Sequence, residues 1–152
     1  MYELLVNLLG KNVEGLEFKE LLESTGAPSS VYDVPISEVD SLRMFEFFNF
    51  GFGLSYSMKE AQFRTIGCEY LAEPNVMRTM SPFLDAGPAG ISAQDNKREV
   101  QKKMTVLPIS SKKLKSYMRV IYKLSPHLVE CVFDSKGKVL KGFSVSLINK
   151  AG

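Results

Sequence analysis

Histidines, cysteines, activated serines and paired carboxylates carry most enzymatic chemistry, and here they are few and scattered. The single histidine, His127, follows Pro126 between two apolar runs, where the sequence predicts a solvent-exposed turn. One histidine excludes H-E-x-x-H and multi-histidine metal sites, and a Cys-His dyad would have to use His127 itself. Cys68 and Cys131 stand far apart, in neither a C-x-x-C nor a zinc-ligand spacing. Each lies in an alternating apolar run, so both read as buried free thiols in a reducing compartment, with a disulfide or a reactive thiol as the alternative.

No G-x-S-x-G elbow occurs, and the glycines of Gly51-Phe52-Gly53-Leu54-Ser55 read as a tight turn with close strand packing. Phosphate-cradling G-x-x-x-x-G-K-[ST] and G-x-G-x-x-G patterns are absent from the sequence. Asp33, Glu38 and Asp40 lie close in sequence, but carboxylates alone read as a solvated acidic edge. These residues predict a non-catalytic protein with no cofactor, no metal site and no small-molecule substrate.

Charge is unevenly spread. Up to Gln94 there are 13 acidic and 6 basic side chains, a balance of −7, and from Asp95 onward 4 acidic and 13 basic, a balance of +9. The overall +2 conceals two poles, each suited to a partner of opposite sign. The basic segment holds Lys97, Arg98, Lys102, Lys103, Lys112, Lys113, Lys115, Arg119 and Lys123, with Tyr117 and Tyr122 interleaved. Such clustering suits phosphate neutralisation, yet only two of the nine are arginine and no RNP-like or KH-like motif accompanies them. A solvated helix face, an acidic protein partner and nucleic acid are the three readings it leaves open.

The elements that must position these residues follow from periodicity. Leu4, Leu5, Leu8 and Leu9 predict a helix over Tyr2 to Leu9, and Phe18, Leu21 and Leu22 predict another over Gly15 to Thr25, closed by Gly26 and Pro28. Three strands follow, over Leu42 to Phe48, Phe52 to Tyr56 and Ile66 to Tyr70. Ala72 to Gly90 reads as a long loop, with Met77, Met80, Phe83 and Leu84 as apolar anchors. Ser92, with Asp95 as a capping-box-like partner, opens a third helix along Ala93, Val100 and Met104. Three more strands then run over Met118 to Leu124, Val129 to Phe133 and Val139 to Leu147, with a hairpin turn at Asp134-Ser135-Lys136-Gly137.

The expected fold is therefore α+β: two N-terminal helices and two antiparallel three-stranded meanders joined by a long loop and a helix. The 152 residues suit a single domain over 1–152, able to bury roughly two thirds of its unfolded surface. No apolar run approaches the roughly 20 residues of a membrane span. Met1 to Leu9 lacks the basic start and cleavage site of a signal peptide, so the expectation is a cytoplasmic protein without a membrane partner.

The run Phe47-Phe48-Asn49-Phe50-Gly51-Phe52-Gly53-Leu54-Ser55-Tyr56, followed by Phe63-Arg64-Thr65-Ile66, Pro82-Phe83, Gly90-Ile91-Ser92 and Arg98-Glu99-Val100, resembles small bacterial immunity proteins. Those proteins belong to polymorphic or contact-dependent toxin systems. Gly87-Pro88 stands where that pattern has Leu-Pro, and Met104 to Pro108 is one residue longer than its Leu-Gly-x-Pro step. The resemblance implies a binding protein that occludes the active site of a cognate toxin domain, often a basic nuclease. An acidic surface of Glu17, Glu20, Asp33, Glu38, Asp40 and Glu46 would then meet the toxin. The alternative surface is basic: Lys97, Arg98, Lys102, Lys103, Lys112 and Lys113. A nucleic-acid-binding accessory module using residues 97–123, and a non-catalytic subunit of a larger complex, remain as other functions.

Overall fold

The computed structural model describes residues 1–69, 86–93 and 95–148. Two helices lead, α1 (Tyr2–Val6) and α2 (Leu16–Thr25). Four strands follow: β1 (Ser30–Pro35), β2 (Ser41–Phe47), β3 (Phe52–Ser57) and β4 (Gln62–Glu69). After α3 (Lys97–Met104) come β5 (Ser110–Lys113), β6 (Tyr117–Leu124), β7 (His127–Asp134) and β8 (Leu140–Leu147). All eight strands lie in one antiparallel sheet, in the order β1-β2-β3-β4-β8-β7-β6-β5.

This overturns the α+β expectation. The protein is predominantly β, and its meanders have four strands each and are zipped into a single sheet by β4 and β8. The physical reason lies in the inner edges. Separate meanders would leave both inner edges unpaired, with Ile66 and Cys68 on one and Phe143 and Val145 on the other. Pairing Ile66 with Val145 and Cys68 with Phe143 buries all four and removes two open edges at once.

One face of the sheet carries the core. Phe45, Leu54, Ile66, Val145, Val129 and Tyr122 alternate inward on successive strands, and the helices lie on this side. Phe18 of α2 meets Phe45 and Phe63 at ring distances of 5.2 and 5.0 Å, and Tyr2 of α1 meets Phe143. Val100 and Met104 of α3 are buried, and the Tyr122 hydroxyl donates to Gln101 Oε1 at 3.1 Å. Beyond the reach of β8, the N-terminal segment lies along β4. Gly10 N–H donates to Phe63 O, and Phe63 N–H to Lys11 O.

Local signals explain most boundaries. Gly26 ends α2 at φ 76°, where a side chain would be strained. The third helix starts later than Ser92: Asn96 caps it, accepting from Glu99 N–H while Glu99 returns a bond to Asn96 N–H. Asp95 forms a turn instead, accepting from Ser92 N–H and pairing with Lys103 at 2.7 Å. Tyr70, and the loop anchors Met77, Met80, Phe83 and Leu84 with Pro82, lie outside the described residues. No helix among the described residues is long and apolar enough to cross a membrane.

Candidate functional site

The two outer edges of the sheet differ sharply in chemistry. β5 carries Lys112 and Lys113 and is exposed along its whole length, so charge blunts it against pairing with another strand. β1 is apolar. Val31, Tyr32 and Val34, with Ile36 and Val39 in the turn to β2, are all exposed, Val31 to 50% and Val39 to 74%. The acid within this strand, Asp33, is held by Arg43 in a two-pronged ion pair (Nε–Oδ1 2.9 Å, Nη2–Oδ2 3.2 Å). That guanidinium keeps the Asp33 carboxyl below the usual carboxylate range.

The turn between β1 and β2 is fixed in shape. Asp40 accepts from Lys59 N–H at 3.1 Å and from the Ser57 hydroxyl, and its own N–H donates to Ser37 Oγ. Glu38 is exposed in this turn. The result is a preformed ridge with an apolar body and an acidic tip, offered by the strand that ends the sheet order.

The sheet face opposite the helices forms a shallow trough of about 780 Å³. Its floor is built from small residues, with Gly53 paired to Gly67, and Ser144 beyond. Glu46 reaches over this floor and is only 5% exposed. The Tyr32 hydroxyl donates to its Oε1 at 3.0 Å, and its other oxygen lies 2.7 Å from where a Gly53 Cβ would be. Glycine at 53 therefore makes room for the carboxylate. On the far side Glu130 pairs with Arg119 at 2.8 Å.

Of the acidic set, Asp33, Glu38 and Asp40 share the β1–β2 ridge. Glu46 lies in the trough instead, and Glu17 and Glu20 are on α2, with Glu17 paired to Lys11 at 3.7 Å. The basic set divides as well. Lys97 and Arg98 open α3, Lys102 and Lys103 close it, and Lys112 and Lys113 lie on β5. Lys103 is tied to Asp95 and to Gly90 O.

Two features of the surface lie outside the expectations from sequence. One is the apolar character of β1, carried by the β-branched and aromatic residues Val31, Tyr32 and Val34. The other is Lys136 and Lys138, which the β7–β8 turn brings beside Lys97 and Arg98. His127 begins β7 and is half-buried, where an exposed turn residue was expected. Both cysteines are free and buried. Each pairs in register with Phe143 from opposite sides, which sets them two strand spacings apart, roughly 10 Å, beyond the reach of a disulfide. Burial pushes the Cys131 thiol up to about 12 and raises that of Cys68 as well. Among the described residues no group of three or more His, Cys, Asp or Glu side chains is placed to hold a metal ion.

No protein-family model matches the chain, and no curated protein matches it. Solved structures do. The chain is similar to a cysteine-rich secretory protein from Staphylococcus aureus subsp. aureus Mu50 (TM-score 0.53, 12% identity, covering 93% of this chain and 45% of that one). It is also similar to an extracellular protein containing an SCP domain from Bacillus anthracis str. Ames (TM-score 0.52, 15% identity, 93% and 44%). A DUF4309 family protein from Bacillus subtilis subsp. subtilis str. 168 gives a TM-score of 0.49 at 12% identity, covering 86% of this chain and 77% of that one. The chain spans under half the length of the first two proteins, and at these identities the likeness is one of fold alone.

Proposed function

We propose that this protein neutralises a cognate bacterial toxin by covering its active site, and that it holds the toxin with β1 and the β1–β2 turn. The supporting observation is the asymmetry of the sheet edges. Natural proteins blunt an open edge with charge, as β5 does with Lys112 and Lys113, or cover it with something else. β1 has a run of exposed apolar side chains, and its single acid is already neutralised by Arg43.

A partner strand laid against β1 gains main-chain hydrogen bonds, while Val31, Tyr32 and Val34 supply apolar contact. The acids of the ridge choose the partner. Glu38 and Asp40 favour a strand or loop bearing lysine or arginine, as in the basic cleft of a nuclease, whereas a second copy would bring the same acidic turn. Inhibition of this kind requires shape and charge and no chemistry of the inhibitor's own. The role is exercised in the cytoplasm, where buried thiols such as Cys68 and Cys131 stay reduced.

The test is co-expression with the product of the adjacent upstream gene. Growth rescue and a stable one-to-one complex are expected. A neighbour that is harmless alone and forms no complex ends the immunity reading. Within a complex, Val34→Lys is expected to weaken binding by about 2 kcal/mol, as loss of a central contact does, with Lys112→Glu as the silent control. Equal affinity for Val34→Lys and the native protein places the interface elsewhere.

A further inference from the structure

A second surface stands apart from the β1 edge. The N-terminus of α3 and the β7–β8 turn flank a shallow, open cleft of about 730 Å³, lined by Asn96, Lys97, Arg98, Gln101, Lys136, Gly137 and Lys138. Its cations come from segments nearly 40 positions apart in sequence, and backbone bonds hold those segments together. Lys97 N–H donates to Gly137 O at 2.9 Å, and Leu140 N–H donates to Asp95 O at 3.2 Å. Gly137, at φ 69°, lets the Lys97 side chain pack flat across the turn: a Cβ there would lie 3.3 Å from Lys97 Cβ. The four charges are thus presented on a braced frame.

Two neighbouring carboxylates also accept from backbone donors, and Lys138 acts electrostatically on one of them, Asp134. Glu99 accepts from Asn96 N–H, and Asp134 accepts from Lys138 N–H and Val139 N–H at 2.6 and 3.1 Å. Among the described residues none of Lys97, Arg98, Lys136 and Lys138 forms an ion pair. The positive end of α3 adds to the same field. Four like charges held together repel one another, and a multiply charged anion placed among them relieves that repulsion.

We infer that this cleft binds a compact phosphate-bearing anion of the diphosphate class, through Lys97, Arg98, Lys136 and Lys138. Its volume falls in the range of small-ligand sites, about 300–1,000 Å³, with room for more than one phosphoryl group. Arginine and lysine grip such groups by charge-assisted hydrogen bonds.

The test uses the full chain, labelled for NMR and titrated separately with inorganic pyrophosphate, inorganic phosphate and a short single-stranded oligonucleotide. Saturable one-to-one binding of pyrophosphate is expected, tighter than phosphate, with amide shifts centred on residues 96–98 and 136–138. Arg98→Glu with Lys138→Glu, both at exposed positions, should weaken it at least tenfold, and Lys112→Glu with Lys113→Glu on β5 should leave it unchanged. The inference is overturned if pyrophosphate fails to saturate, or if the β5 pair weakens binding as much as the cleft pair. Binding of the oligonucleotide without pyrophosphate overturns it as well.

Discussion

Gly53 and Gly67 face each other across β3 and β4, yet alanine should have opposite effects at the two positions. A Cβ on Gly53 would lie 2.7 Å from Glu46 Oε2 and 3.2 Å from its Cδ, so the carboxylate must swing away. Leaving breaks the Tyr32 hydroxyl bond to Glu46, and a hydrogen bond to a charged group contributes about 1.5–3 kcal/mol. Against this stands the smaller unfolded-state entropy of alanine, about 0.4–1 kcal/mol. The net expectation for Gly53→Ala is a loss of about 1–2 kcal/mol. A Cβ on Gly67 meets nothing within 4 Å, so Gly67→Ala should gain about 0.4–1 kcal/mol. Urea unfolding followed by circular dichroism and tyrosine emission, in a chain without tryptophan, reads both. In a Glu46→Ala background the Gly53→Ala loss should disappear, since nothing is left to collide with. Equal shifts for the two glycines, or a loss that persists without Glu46, would refute the packing argument.

Other outcomes follow from the core and its thiols. Phe63, fully buried and in ring contact with Phe18, Phe45 and Tyr56, should lose about 3–5 kcal/mol as alanine, seen as a lower urea midpoint. Cys68 and Cys131 should resist a thiol reagent in the native protein and both react in 6 M guanidinium; fast labelling of the native state would contradict their burial. Because burial pushes the folded Cys131 thiol up to about 12 from an ordinary value of 9.0, the unfolded state loses its proton first as pH rises. Stability should be intact below pH 9 and fall above it by up to about 1.4 kcal/mol per unit from this thiol. A Cys131→Ala variant should show a shallower decline over the same range; an unchanged slope would exclude the thiol as its source.

Six of the eight strands were legible because their side chains alternate between a buried and an open face. Ile66 and Cys68, or Val129, Cys131 and Phe133, show this in the letters alone. β5 offered no such signal: Ser110 to Lys113 is exposed throughout and owes its conformation to pairing with β6. β1 does not alternate: its apolar side chains fall on both sides of the strand, enter no core and stop at Pro35, so the period-2 signal was missing. The junction of β4 with β8 was invisible, since period-2 patterns state which face is buried and never which strand lies alongside. The third helix was expected to open at Ser92 with Asp95, whereas Asn96 and Glu99 cap it. Tertiary contact made the difference, by drawing Asp95 to Lys103. For the proposed surfaces, the acids Asp33, Glu38 and Asp40 stand together in the sequence, while the cleft of Lys97 with Lys136 required knowing which turn meets which helix.

The β4–β8 junction has a consequence for biosynthesis. Of the seven strand pairs in the sheet among the described residues, six close locally as each hairpin emerges; the exception is this one, whose partners are separated by some seventy intervening positions. Until β8 has left the ribosome, the first meander is a finished half-sheet with Ile66 and Cys68 bare along an unguarded border. Such a half-sheet can associate with another nascent copy through the same border. Slowing translation after β4 should therefore raise the yield of aggregate more than slowing it before β2, and folding should be limited by the formation of this late, long-range seam.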